Sequence, residues 1–504
     1  MRAYKWLGQW LLLLGLMPGM TGWVQARPLN VVGPWEITGI QPAQSGYIFS
    51  RMQVAETLIG VDEQGQLAPR LATAWRVSDD GLRWYFRLRD GVRCHDGSVL
   101  GVDGVVQSLR HARAGNGVLS QAPIVAIDAA GDELEIRLSS PFAPLPAYLA
   151  HYSTLVLAPA AYDSQGQVRE LIGTGPYRVT GLTPPLKLDL QRTEHWWGGL
   201  PTIASASYLA VGKGETRALM AASGDADLVF SLLPVSLPAL RRHPGLQIEV
   251  VTVPRTRMLK LNAASPFFSD VQVRRALSLA LDRTGMARAI LRNDALAATQ
   301  LFPPSLAGWH DLSLAPLHHD PQEAQRLLSE AGWIPGDDGI RQRGGQRFAV
   351  TLTTFSSWPE LPLLATAMQA QLRQVGIALE VAVGNSSEIV SRHRDGSLQL
   401  GLASRNFGLV PDPLGTLLQD YGPEGGDWGA MGWSDSGLQQ TLDSLKHAAD
   451  PALRHRVAGI LQQQLPVLPL AWTELAVAAS ADLDGLRVDP FELSYNLSAL
   501  RWAQ

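Results

Sequence analysis

The chain has 504 residues, 46% hydrophobic and 17% charged, with a formal net charge of −4. That length gives two or more domains and ample core, and the slight acidity removes the basic field that a nucleic-acid or anionic-lipid binder needs. Cys94 is the only cysteine, which excludes an intramolecular disulfide.

The N-terminus carries Arg2 and Lys5, then the apolar run LGQWLLLLGLM, then Val24-Gln25-Ala26 with small residues placed for a cut after Ala26. The run is short for a bilayer, and the order predicts a secretory signal peptide over residues 1–26. No cysteine follows it, so the expected product is periplasmic and not a lipoprotein. Leu29, Val31 and Val32 predict a short strand, and SGYIFSRMQVAETLIG predicts a helix from Ser45 or Gly46 to Gly60. Alternation on both sides of Asp80-Gly81, as in Trp84, Phe86 and Leu88, predicts a hairpin. VDGVVQSLRHARAG reads as an amphipathic helix capped by Asp103, ELEIRLSS as an alternating strand, and STLVLAP as a strand buried on both faces. GTGPYRV is a glycine turn entering a strand, and LKLDLQRTEHWWGG a strand ending in an aromatic turn. ASASYLAV and ADLVFSLL are strands around the helix ETRALMAAS.

In the second half, Asp270 or Ser269 caps a helix whose apolar face is Val273, Leu277, Ala280 and Leu281. Asp320 caps another, with Pro321 at its first position, Glu323 completing a capping box and Gly332 stopping it. RFAVTLTTF, LPLLATAMQAQLRQVG and IALEVAVG give strand, helix and strand, hence a parallel pair with a right-handed crossover. PVLPLAWTELAVAAS closes the chain's pattern as apolar strand. This order predicts two mixed α/β lobes, with ligand in the cleft between them.

Several segments, in this order, resemble the periplasmic solute-binding proteins of family 5, the receptors of peptide and nickel ABC importers. They are LAPRLATAWRVSDDGLRWYFRLRDGVRCHDG, GTGPYRV, EHWWGG, NAASPFFSDVQVRRALSLALDR, DPQEAQRLLSEAGW and RHRDGSLQLGLASRNFGLVPDP. The resemblance implies a type II, two-lobe α/β binding-protein fold with mixed sheets. It places lobe I at 27–256 plus 475–504, lobe II at 257–474, and hinges near VTVPRTRMLKLN and VLPLAWTEL. It implies a monomeric receptor, not an enzyme, with no resident cofactor or metal. Such a receptor captures a small ligand, a peptide or a nickel–chelator complex, by hinge closure and delivers it to ABC permease subunits at the inner membrane.

By position in that family, Tyr47, Arg51, Tyr152, Arg405, Asn406 and Phe407 would line the cleft. An arginine fork suits a carboxylate, and aromatic rings give rigid apolar contact. RNFGLVPDP is closer to the nickel branch, with its Arg-x-aromatic-Gly pattern. Leu409 stands where peptide receptors carry an aspartate for the α-amino group. Pro411 replaces a tyrosine of the nickel branch, YGPEGGDWG lacks its histidine, and Tyr152 or Ser153 replaces its arginine.

The rival readings are a secreted hydrolase and a peptide-binding chaperone. No Gly-x-Ser-x-Gly, His-Glu-x-x-His or Ser-x-x-Lys pattern occurs, and GKGETR lacks the third glycine of a dinucleotide loop and the Gly-Lys-Ser/Thr of a phosphate loop. His318-His319-Asp320 resembles a metal cluster, but Asp320 is claimed by the helix cap. Trp428 and Trp433 sit in a glycine-rich loop that packs, with some cleft contact. VRCHDGSVL joins the cysteine to a histidine and an aspartate. Its reading is a turn, with Cys94 in the core, His95 and Asp96 bonded to local backbone, and Gly97 bending the chain.

Overall fold

The computed structural model describes residues 27–62, 64–423 and 425–503; the signal-peptide expectation lies outside them. Its frame is a ten-stranded mixed sheet. In spatial order the strands are Ala378–Gly384, Ala349–Phe355, Leu400–Asn406, Leu246–Leu261, Val467–Ser480, Leu228–Val229, Leu29–Gly33, Ser205–Ala210, Lys187–Arg192 and Tyr177–Thr183. Two central strands, of 16 and 14 residues, are long enough to belong to both lobes. They pair antiparallel from Leu246↔Ser480 to Lys260↔Val467. On one side Leu29–Gly33 runs parallel to both its neighbours. On the other, Ala349–Phe355 runs parallel to Ala378–Gly384, joined to it by the expected helix, Glu360–Gln374.

A separate antiparallel sheet holds Ala72–Val77, Arg83–Leu88, Glu133–Leu138 and Ile124–Ala130. Its first hairpin turns at Gly81, φ +72°, where a residue with a Cβ would be strained. The core divides as the sheet does. One cluster draws on residues between Leu29 and Val253 and on Leu475 to Leu500, with Val410 reaching in from the other lobe. A second draws on residues between Leu259 and Leu470. A third, around Phe302, Phe407 and Tyr421, takes in Phe491 from the returning C-terminus.

Several local expectations are corrected. STLVLAP is buried from Ser153 to Ala158 but is not a strand: Tyr152–Thr154 and Pro159–Ala161 are single 3-10 turns, and only Val156 bridges, to Glu56. A short apolar run has no period to separate strand from buried loop. The first helix is Pro42–Arg51, started by proline at its first turn, and Gln53 at φ +56° ends any continuation. ADLVFSLL contributes only Leu228–Val229 to the sheet, and Ser231 then turns away at φ +58°. Asp103 lies inside the first turn of its helix, whose N-cap is Gly101. Asp320 caps as expected, accepting from the Glu323 N–H at 2.9 Å, but the Glu323 carboxylate binds Arg326 rather than closing a box.

Candidate functional site

A cavity of about 880 Å3 lies between the lobes, within the roughly 300–1,000 Å3 typical of small-molecule sites. Its walls are the loops that leave the carboxyl ends of parallel strands. Pro34 and Trp35 follow Leu29–Gly33, Gly212 to Gly214 follow Ser205–Ala210, and Ser231 to Pro234 follow Leu228–Val229. From the other lobe, Ser356 to Glu360 follow Ala349–Phe355. Outside the carboxyl ends of such strands is where open α/β sheets bind ligands. The two long strands supply the floor, through Arg255, Arg257, Thr473 and Glu474.

The charge in this cavity is uneven. Lys213, Arg217, Arg241, Arg255, Arg257 and Arg292 line it against Glu215, Glu360 and Glu474. The helices Gly214–Ser223 and Glu360–Gln374 both begin at its wall, and neither has a side-chain cap. Their dipoles add positive potential.

Beneath the floor runs a buried network. Arg255 Nη2 donates to Glu492 at 2.6 Å, and Arg51 Nη2 lies 3.6 Å from the same carboxylate. Burial pushes the Glu492 carboxyl up, but Arg255 and Arg51 outweigh it and hold it below the usual range. Arg51 also lies over the Trp35 ring at 5.1 Å, and Arg255 over the Trp358 ring at 5.1 Å. Each cavity-lining tryptophan is therefore backed by one of the two arginines that share Glu492.

The sequence-derived residues fall into two groups. Tyr47, Arg51 and Tyr152 gather beside Trp35: the Tyr47 ring meets Trp35 and Tyr152 edge-on, at 6.4 and 5.7 Å. They form the layer behind the cavity wall. Asn406 stands opposite Arg255 across the sheet, so it shares the floor's face, and its side chain accepts from the Gly408 N–H at 2.8 Å. Arg405 is opposite Thr256, on the other face. There it binds Asp420 through Nε and Nη2, at 2.6 and 3.0 Å. Phe407 is 0% exposed and packs on Phe302 at 5.4 Å between centroids. The strand's period of two divides these three neighbours.

Trp35, Arg255, Arg257, Trp358 and Glu492 were not legible as site residues. The signal for two of them is Pro-Arg-Thr-Arg in a stretch that is largely buried from Val253 on, since a charge pair at alternate positions of a buried strand needs a reason. Glu492 reaches Arg51 across 441 residues, which no local pattern reveals.

The cysteine-bearing turn lies elsewhere. Cys94 is 5% exposed in the lobe I core, and burial pushes its thiol up. Asp96 accepts from the Ser98 N–H and hydroxyl, and Gly97 bends at φ +87°. His95 instead reaches a distant turn: its Nδ1 accepts from the Gly173 N–H, and its Nε2 lies 3.0 Å from the Gly175 carbonyl oxygen. Trp428 and Trp433 pack against the second and third clusters.

The description "Bacterial extracellular solute-binding proteins, family 5 Middle" matches residues 66–428. The chain belongs to this family. This family 5 protein is 28% identical over 489 residues to the nickel-binding periplasmic protein of Escherichia coli (strain K12), covering 92% of the chain and 91% of the relative. It is 26% identical over 454 residues to the glutathione-binding protein GsiB of the same strain, covering 86% of each. NikA from Brucella suis, crystallised with Fe(III)-EDTA, superposes with a TM-score of 0.86 at 23% identity, over 94% of this chain and 100% of the other. AppA from Bacillus subtilis, holding a nonapeptide, gives 0.77 at 19%, over 95% and 99%. The two-lobe binding-protein fold and the role of a solute-binding receptor follow from these matches.

Proposed function

We propose that this protein is a periplasmic receptor that closes on a small anionic ligand, a metal–chelator complex or a short peptide, and hands it to the permease of an ABC importer. Lobe I comprises residues 27–256 plus 475–504 and lobe II 257–474, joined by the two long strands. The observation that carries the reading is the interlobe cavity, with six basic side chains against three acidic and two uncapped helix starts at its wall. Guanidinium forks suit the carboxylates of a chelator better than a bare cation. The nickel- and glutathione-binding relatives supply the two ligand classes. Tyr47, Arg51 and Tyr152 support the wall, while Asn406 stands opposite Arg255 on the neighbouring strand. Arg405 and Phe407 hold the neighbouring loop.

The test is native mass spectrometry of protein taken from its own periplasm, with elemental analysis for nickel and other metals. The expected result is one small anionic ligand per monomeric chain, whose return to stripped protein raises the melting temperature by mass action. Turnover of that ligand, or protein that retains nothing and is stabilised by no peptide or metal chelate, would overturn the reading.

A further inference from the structure

We infer that Arg255 and Arg257 form a carboxylate-binding subsite on the hinge strand itself; this rests on the receptor reading above. The two arginines stand at alternate positions of Leu246–Leu261, opposite Asn406 and Ser404, and so project from one face of the sheet. Both line the cavity.

Their internal partners do not use them up. Arg257 binds Glu360 through Nη2 at 2.5 Å and reaches the Trp472 carbonyl and Thr473 hydroxyl through Nη1, at 2.9 and 3.2 Å. Its Nε is buried without a hydrogen-bond partner, as is Arg51 Nη1. Arg255 commits Nη2 to Glu492, and among the described residues neither its Nε nor its Nη1 bonds to protein. Three guanidiniums thus share two carboxylates, Glu492 and Glu360. Glu474 also stands at the floor near Arg257, so what the network keeps spare there is guanidinium donors rather than net charge, and buried donors are costly unless an acceptor such as a carboxylate completes them. The N-terminus of helix Glu360–Gln374, which has no side-chain cap, lies beside Arg257 through Glu360 and adds its dipole's positive potential at the same place. Trp358 under Arg255 holds its planar fork in one orientation, ready for a two-point bond to a carboxylate.

The subsite is tested by calorimetry with citrate, Ni(II)–EDTA, glutathione and, as a carboxylate-free control, trialanine amide. At least one of the first three should bind the full chain, and trialanine amide should not. Arg255→Gln should weaken the bound carboxylate about 10–100-fold, the loss of a charge-assisted fork. Arg255→Lys, which keeps the charge and the Glu492 pair but not the fork, should fall between. Arg76→Gln, an exposed arginine paired to Glu133 on the separate sheet, should change nothing. Unchanged affinity in Arg255→Gln overturns the subsite, as does equal binding of trialanine amide. If Arg255→Gln does not fold, wild-type affinity in Arg255→Lys overturns it. Those outcomes leave the receptor reading standing; if no probe binds the wild type and no ligand copurifies, both fall.

Discussion

Lys260 is buried on the same long strand as the cleft arginines, where its ammonium donates to the carbonyls of Gly426 and Asp427, at 2.5 and 3.1 Å. Burial brings its pKa down to about 7, against the opposing pull of Asp420 and Asp427. In the unfolded chain a lysine titrates near about 10.4. Between these values the unfolded state holds a proton that the folded state has released, so stability rises with pH across that window. Below about pH 7 both states are protonated and the full cost of the buried charge is present. A neutral amine still has two N–H donors for the two carbonyls, so deprotonation need not break the contact. Lys260→Met removes this titration. Urea unfolding of wild type and Lys260→Met should show the difference moving in favour of wild type by about 2 kcal/mol from pH 7 to pH 9. Parallel pH profiles would mean that Lys260 stays protonated throughout.

Among the elements, those with stop and start chemistry were legible. Asp270 and Asp320 cap their helices, and the order strand–helix–strand gave the parallel pair Ala349–Phe355 and Ala378–Gly384. STLVLAP was not, because its hydrogen bonds go to single turns and to Glu56 rather than to a ladder. The quoted motif segments find their physical reason here. Glu56 collects the Thr174 hydroxyl at 3.0 Å, the Trp197 indole at 3.0 Å and Arg70 at 3.2 Å, so three separate motifs meet on one buried carboxylate. The glycines of GTGPYRV let that meeting happen. A Cβ at Gly175 would stand 2.1 Å from the Gln53 carbonyl oxygen, and one at Gly173 2.2 Å from that of Val54. Both obstacles are backbone. Gly175→Ala should therefore destabilise by about 2–4 kcal/mol, against about 1 kcal/mol for removing a helix cap with Asp450→Ala. Chemical denaturation of the two variants separates them, and equal losses would show that the Gln53 turn yields easily.

At the scale of the molecule, the two-lobe fold was legible because strand and helix segments alternate in both halves and several of them match, in order, the motifs of a two-lobe family. The cleft's charge network was not, because it joins residues 51, 255, 358 and 492 through folding alone. The lobes also meet away from the hinge. The Ala143 N–H donates to the Lys446 carbonyl at 2.7 Å, and Tyr148 seats against the helix Pro413–Asp420 of the other lobe. A Cβ at Gly415 would lie 2.9 Å from the Tyr148 hydroxyl. Tyr148 itself is fixed by the edge of Phe142, at 5.0 Å, and burial pushes its hydroxyl up to about 12, so it stays neutral at any working pH. Gly415→Val puts three carbons where the ring must sit, and the cheapest relief is for the lobes to part. If closure traps the ligand, apparent affinity is reduced by the fraction of molecules still able to close. Each 1.4 kcal/mol lost from the closed state then costs about tenfold in affinity. Small-angle scattering should show a larger radius of gyration for Gly415→Val than for wild type, and the copurified ligand should bind at least about tenfold more weakly. An unchanged radius together with unchanged affinity would mean that this contact does not govern closure.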